Sequence, residues 1–356
     1  MGSAPLEGNA VINFQFSIYD FQLQIVNRRS SILARVLFAG ILIFNVPVFS
    51  ARGAANENRQ KPTVIVVVGA AGTPEYGAQF AEWAGLWKKS CSNGDAQFTA
   101  IGLDEVVEAD DRTMLQETLA DESKQANAAL WLVLIGHGTY DGKTAKFNLR
   151  GPDLSADDLA EWLKPFSRPI AVINTASSSA PFLSKLSAQR RVIITATKSG
   201  FEQNYTRFGQ YLAGAIAEPQ ADLDKDGQTS LLEAFLTASR RVDQFYAAAG
   251  RLATERALLD DNADALGTRA DWFRGIRPVR RATDDAPLDG YLAHQFHLVR
   301  SEAENKMPPE LRAKRDQLEL EVIKLRDAKE KFSEDEYFSK LEALLYEIAQ
   351  IYEHCE

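Results

Sequence analysis

Two apolar runs about forty residues apart, Ala129–Ile135 and Pro169–Ile173, each stop abruptly at small and polar residues. Gly136-His137-Gly138 follows the first, and Asn174-Thr175-Ala176-Ser177-Ser178-Ser179 follows the second. Unbroken apolar runs this short read as strands buried on both faces, and therefore as members of a parallel sheet. Thr63–Val68, ending in Gly69-Ala70-Ala71-Gly72-Thr73, is a first strand of the same kind; Gln97–Gly102 is a second, and Val192–Thr197, closed by Lys198-Ser199-Gly200, is a later one. Phe147–Leu149 suits a short strand or hairpin arm. Between these runs the apolar period changes to that of a helix. In Tyr76–Lys89, Phe80, Trp83, Ala84 and Trp87 share one face. Asp111–Ala120, Phe208–Ile216 and Leu231–Ala248 read as helices, and Ser155 caps another through Leu163, with Asp157 and Asp158 in its first turn. Strand and helix alternate for about 200 residues. That predicts an α/β domain over residues 62–300 with a doubly wound, mainly parallel sheet and right-handed crossovers.

Beyond Pro308-Pro309 the pattern is helical only. Leu311, Leu318, Val322, Leu325 and Phe332 step at helical intervals. Ser333-Glu334-Asp335-Glu336 is a capping box, and Phe338, Leu341, Leu345, Ile348 and Tyr352 then alternate by three and four. Residues 308–354 are predicted to form an antiparallel helical hairpin. Its apolar stripe is expected to pack on its own chain before a second copy or a partner; the oligomeric state is not legible.

At the other end, Arg28, Arg29 and Arg35 flank the apolar run Val36–Phe49, which is interrupted by Gly40, Asn45 and Pro47 and followed by Ser50-Ala51-Arg52-Gly53-Ala54-Ala55. A charged flank, an apolar stretch and small residues make residues 28–55 a signal peptide or membrane anchor, preceded by an N-terminal extension, residues 1–27. Fourteen residues are few for a spanning helix, which needs about 20. The expected destination is periplasmic or extracellular, with membrane anchoring as the alternative.

The chain of 356 residues carries a formal net charge of −9, which argues against a nucleic-acid partner. Cys91 and Cys355 make no metal-ligand spacing, and whether they pair stays open. His294 and His297 read as ordinary surface or core residues rather than a metal pair. The Gly69–Gly72 turn lacks the third glycine of a dinucleotide fingerprint and the Gly-Lys-Ser/Thr of a P-loop, so no nucleotide is expected.

Ligands of parallel sheets gather outside the carboxyl ends of the strands. His137 and the Thr175–Ser179 cluster are therefore expected across one crevice, where a base and hydroxyls suggest acyl transfer. His137-Gly138, the strand-end segment Asn174–Ser179 and the strand order around them resemble the caspase-like clan of cysteine peptidases, the legumain-like branch above all. The resemblance covers roughly residues 62–250 and implies a His-Gly pair at one strand end and an Ala-Cys pair at the next. His137 and Gly138 match the first; Ala176-Ser177 falls on the second, so serine replaces the nucleophilic cysteine. Val192–Thr197 matches the family's next strand, and Thr197, Lys198 and Ser199 would begin the wall of the substrate pocket. A thiol with a reference pKa near 8.5 ionises readily beside a histidine, whereas an alcohol needs an oriented base, usually held by a third, carboxylate group. Asp141, the nearest carboxylate in sequence, reads as a turn residue. Three readings stay open: a site that has lost peptidase activity and binds peptides or protein partners, which is favoured; a peptidase or acyl hydrolase using Ser177 (less readily Thr175 or Ser179) with His137 as base; and an altered residue at position 177.

Asp222-Leu223-Asp224-Lys225-Asp226-Gly227-Gln228-Thr229-Ser230-Leu231-Leu232-Glu233 has the twelve-position spacing of an EF-hand calcium loop. Asp222, Asp224, Asp226, Gln228 (through its carbonyl) and Glu233 are the expected ligands of a structural calcium ion. No helix is predicted directly before Asp222. A second acidic stretch, Leu259–Gly267, has oxygen side chains at close spacing without glycine at the bend; its default reading is a polar loop, with a weaker metal reading that extends to Glu255.

Overall fold

The computed structural model describes residues 61–104, 109–284 and 286–354. The N-terminal extension, the export segment 28–55 and Cys355 lie outside the described residues. In chain order the α/β part contains β1 (Thr63–Val68), α1 (Pro74–Asn93), β2 (Gln97–Ile101), α2 (Asp111–Asp121) and β3 (Leu130–Ile135). A small antiparallel meander follows: β4 (Gly138–Tyr140), β5 (Ala145–Phe147) and β6 (Leu154–Ser155). Then come α3 (Ala156–Leu163), β7 (Ile170–Asn174), α4 (Ala180–Leu186), β8 (Arg191–Thr195), α5 (Phe208–Ala215), α6 (Leu231–Ala248), β9 (Leu258–Asp260) and β10 (Thr268–Arg269). The main sheet has the order β10-β9-β8-β7-β3-β1-β2. Strands β2, β1, β3, β7 and β8 run parallel, and β9 and β10 extend the edge by antiparallel pairing. The predicted α/β class with a mainly parallel sheet is thus observed.

Period two explains why the strands read as continuous apolar runs. Val64, Val66, Val68, Trp131, Val133 and Ile135 face one core, with Phe80, Trp83 and Trp87 of α1 and the apolar sides of α5 and α6. Ile65, Val67, Leu130, Leu132 and Leu134 face the other, against α2, α3 and α4. Both faces are covered, so every position must be apolar, and each such buried side chain contributes about 1.5–3 kcal/mol. Ser155 caps α3 through a reciprocal capping box with Asp158, as expected of its position.

Three sequence expectations shift. The strand predicted at Phe147–Leu149 is Ala145–Phe147. Asn148 leaves it because its N–H donates to His137 O (3.0 Å) while its carbonyl accepts from Ala70 N (2.9 Å). Strand β8 stops at Thr195, where the Thr195 hydroxyl donates to Thr197 O at 3.0 Å and turns the chain. The second acidic stretch, expected as a loop, begins inside strand β9.

The C-terminal part holds the short helices α7 (Tyr291–His294) and α8 (Glu302–Lys306) and the hairpin α9 (Pro309–Asp327) and α10 (Glu334–Glu353). Ser333 makes the predicted capping box with Glu336. Met307, Leu318, Ile348 and Ile351 form the hairpin's own small core. The hairpin docks on its own chain, through Gln295 Nε2 to Asp316 O (2.7 Å) and the Arg281–Asp327 ion pair. Arg315, almost buried in α9, pairs with Glu304 and Asp316, and Glu319 lies 3.8 Å away.

Candidate functional site

The crevice follows from strand register. β3 and β7 pair in parallel with Leu134 opposite Asn174, so Gly136–Gly138 and Thr175–Ser179 leave the sheet side by side. Thr175 ties the two ends together, its N–H and its hydroxyl both donating to Leu134 O at 3.0 and 2.8 Å. Asn174 Oδ1 accepts from Ala176 N at 3.1 Å and turns the segment away from the sheet. Position 138 must be glycine: a Cβ there would stand 2.2 Å from the Ser177 carbonyl oxygen.

His137 and Ser177 follow neighbouring strand ends, but each is hydrogen-bonded elsewhere. The Ser177 hydroxyl donates to Gly138 O at 3.0 Å and accepts from Gly138 N at 3.2 Å. Among the described residues no hydrogen bond joins it to His137. The His137 ring stands edge-on to Tyr76 and Phe80, with ring centres 4.8 and 5.3 Å away, and Tyr205 closes the cage at 6.1 Å. Burial pushes the Tyr205 phenol up, and its O–H donates to Gln79 at 2.7 Å. His137 Nε2 lies 3.2 Å from Ala71 O. A carbonyl only accepts, so Nε2 carries the proton and the lone pair belongs to Nδ1. The glycine-rich turn after β1 thus orients the histidine, a role the sequence did not signal. Asp141 behaves as the turn residue expected, accepting from Lys143 N and Thr144 N at 2.8 and 2.7 Å.

The remaining serines have structural employment. Ser179 shares a hydrogen bond with Thr197 (3.2 Å), and Thr197 also accepts from Ala180 N. Thr197 is fully buried, Ser199 half-buried and Lys198 exposed. Lys198 N and the Glu202 carboxylate are 2.9 Å apart. Ser178 holds a left-handed backbone (φ 55°) and donates its N–H to Glu202 O, while its buried hydroxyl has no partner among the described residues.

The twelve-residue loop lies elsewhere, between a single 3-10 turn, Pro219–Ala221, and α6. Asp222 accepts from Lys225 N (2.6 Å) and Gly227 N (3.1 Å), Asp224 from Asp226 N (3.2 Å) and Asp226 from Gln228 N (3.0 Å). Gly227 takes φ +90°, which supplies the bend. Carboxylate oxygens of Asp222, Asp224 and Asp226 come within 4.8 Å of one another, a donor set that suits calcium. Glu233 fits less simply. It accepts from Leu223 N and Asp224 N with one oxygen and from Ser230 with the other, so two-point ligation would break those bonds. Burial pushes the Asp226 and Glu233 carboxyls up. Burial is the largest single influence on Asp224 and opposes its ionisation, but the bond to His294 (3.0 Å), the charge of that ring and the Asp226 N–H together outweigh it and hold that carboxyl low. His294, read from sequence as ordinary, therefore belongs to this loop; seventy residues of separation hid it.

No family model matches the chain, and neither does any curated protein. Among solved structures, a protein of Geobacter sulfurreducens is similar at 12% identity and a TM-score of 0.35, with 51% of this chain and 89% of that one covered. The Drosophila initiator caspase Dronc is similar at 12% and 0.36, covering 64% and 94%. Caspase-1 from Spodoptera frugiperda is similar at 10% and 0.37, covering 56% and 86%.

Proposed function

We propose that this is an exported protein of caspase-like, legumain-like peptidase fold whose site has lost peptidase chemistry and binds a peptide or protein partner. The observation that carries the reading is the Ser177 hydroxyl. It donates to the Gly138 carbonyl and occupies the Gly138 N–H, rather than donating to His137. A serine nucleophile needs a base within about 2.6–3.2 Å and free N–H donors for the oxyanion. Here neither holds: the Ser177 hydroxyl and the Gly138 N–H are bonded to each other. Export rests on the residue pattern of segment 28–55.

One observation favours a second reading, an acyl hydrolase using Ser177. Ala71 O holds His137 in the tautomer that a base requires. Turnover of peptide and ester substrates separates the two. The expected result is no hydrolysis by the parent above the level of Ser177→Ala, and no labelling of Ser177 by a fluorophosphonate. Hydrolysis that disappears in both Ser177→Ala and His137→Ala establishes the hydrolase instead.

The loop Asp222–Glu233 is proposed to hold a structural calcium ion through Asp222, Asp224, Asp226 and the Gln228 carbonyl, with Glu233 recruited from its backbone partners. Calcium is expected to raise the thermal midpoint of the chelator-treated protein, and Asp224→Ala to lose much of that rise. Equal midpoints with and without calcium, in parent and variant alike, count against the ion.

A further inference from the structure

We propose that Asp260–Leu266, which joins β9 to β10, is a second calcium-class cation loop, using side-chain oxygens of Asp260, Asn262 and Asp264 and the Leu266 carbonyl. The carrying observation is one atom. Asp260 is 1% exposed, and among the described residues its Oδ2 has no hydrogen-bond partner. Its Oδ1 accepts from Ala263 N at 3.2 Å, so the carboxylate is turned into the loop that follows it. Burial pushes this carboxyl up, against the opposing pull of the Ser187 hydroxyl and the N–H groups of Ala263 and Ala265. Among the described residues no lysine, arginine or histidine pairs with it. A buried carboxylate oxygen needs compensation by hydrogen bonds or a cation. Its neighbours show the contrast. Asp261 accepts from Gly290 N and Ala293 N at 2.8 and 2.7 Å, and Asp289 accepts from Asp261 N and the Thr268 hydroxyl.

The loop repeats the hydrogen-bond pattern of the first one at its first, third and fifth positions. Asp260 accepts from the N–H three residues on, as Asp222 does. Asn262 and Asp264 each accept from the N–H two residues on, both at 2.8 Å, as Asp224 and Asp226 do. The fourth and sixth positions are left-handed in both: φ +68° and +90° at Lys225 and Gly227, +69° and +62° at Ala263 and Ala265. The sixth-position N–H differs: in the first loop Gly227 N donates to Asp222 Oδ2, whereas the best-formed bond of Ala265 N is to Ser187 Oγ at 3.0 Å. The Asn262 amide nitrogen is held by Pro287 O (2.9 Å) and Asp264 (3.1 Å). The second loop offers no carboxylate at its twelfth position. Asp271 stands there, exposed and paired with Arg269 at 2.8 Å. Water must complete the shell, so binding is expected to be weaker than at the first loop.

The test is calcium chloride alone titrated into the chelator-treated full chain, with stoichiometry read by calorimetry. Two ions are expected for the parent, one for Asp260→Asn, one for Asp264→Ser and one for Asp224→Ala. The amide of Asp260→Asn keeps an acceptor oxygen for Ala263 N, and far-ultraviolet circular dichroism confirms that each variant is folded; Asp264→Ser carries the test if Asp260→Asn fails to fold. The proposal is overturned if folded Asp260→Asn or Asp264→Ser binds as many ions as the parent, or if the parent binds none. Failure of the first loop alone has a different signature: one ion in the parent, retained in Asp224→Ala and lost in Asp260→Asn.

Discussion

Replacing Trp131 by alanine is expected to lower the free energy of unfolding by about 3–5 kcal/mol, the range for truncating a fully buried tryptophan. Trp131, the second residue of β3, is 1% exposed, and the strand lies between β1 and β7. Its ring meets Trp87 of α1 at 6.2 Å and Phe296 at 5.7 Å, so it joins the sheet to two separate segments. Truncation removes both ring contacts and leaves a cavity that rigid strands on either side cannot close. Its indole Nε1 is buried and has no hydrogen-bond partner among the described residues. Trp131→Phe therefore gives up no hydrogen bond and is expected to cost less than about 1.5 kcal/mol, as a swap that keeps most of the shape. Urea unfolding of both variants checks the pair. A phenylalanine variant as unstable as the alanine one would mean that the indole N–H, not ring packing, carries the site.

Much of this architecture is legible in the residues because each run obeys one rule. Val64–Val68 and Leu130–Ile135 are apolar at every position because alternate residues feed two opposite cores. His137 and Ser177 are legible as neighbours because parallel pairing of Leu134 with Asn174 leaves no other place for the residues that follow. What that proximity does not encode is which atom bonds to which. The Ser177 hydroxyl chooses between the Gly138 backbone and the His137 ring by small displacements that no spacing carries. Likewise, Ala71 is an unremarked alanine in a turn until its carbonyl is seen against Nε2 of His137. Thr197, expected to start a pocket wall, is a buried bracket for Ser179 because β8 curls back at Thr195. His294 joins Asp224 from seventy residues away, which no local pattern records. At Ala263 and Ala265 residue type is misleading, since alanine rarely takes the left-handed backbone found there.

Glu255 shows how a residue far from the crevice in sequence supports its floor. Glu255→Ala is expected to cost about 2–6 kcal/mol, because it leaves two N–H donors, one buried and one part-buried, unpaired at about 1–3 kcal/mol each. The carboxylate accepts from Arg207 N with both oxygens at 2.9 Å, from Phe208 N at 3.0 Å and from the Tyr246 hydroxyl at 3.1 Å. Two of these donors open α5, where a negative charge is favoured. The same helix start is tied to the crevice: the Thr206 hydroxyl donates to Thr175 O at 2.5 Å, and Gly209 lies so close to Thr175 that an added Cβ would sit 2.8 Å from its side chain. Burial nevertheless pushes the Glu255 carboxyl above its usual value of 4.5, outweighing the N–H donors. The native state then holds this proton more tightly than the unfolded chain. Stability from protonation is complete below the unfolded value and is lost as pH rises through the folded one, so this group makes the protein relatively more stable in mild acid than at neutrality. Glu255→Gln keeps an acceptor oxygen and cannot ionise. It is expected to remain folded, to lose less stability than the alanine variant, and to show a smaller decline in unfolding free energy between pH 5 and pH 8 than the parent. Identical pH dependence in parent and Gln variant would place the ionisation elsewhere and leave Glu255 as a hydrogen-bond acceptor alone.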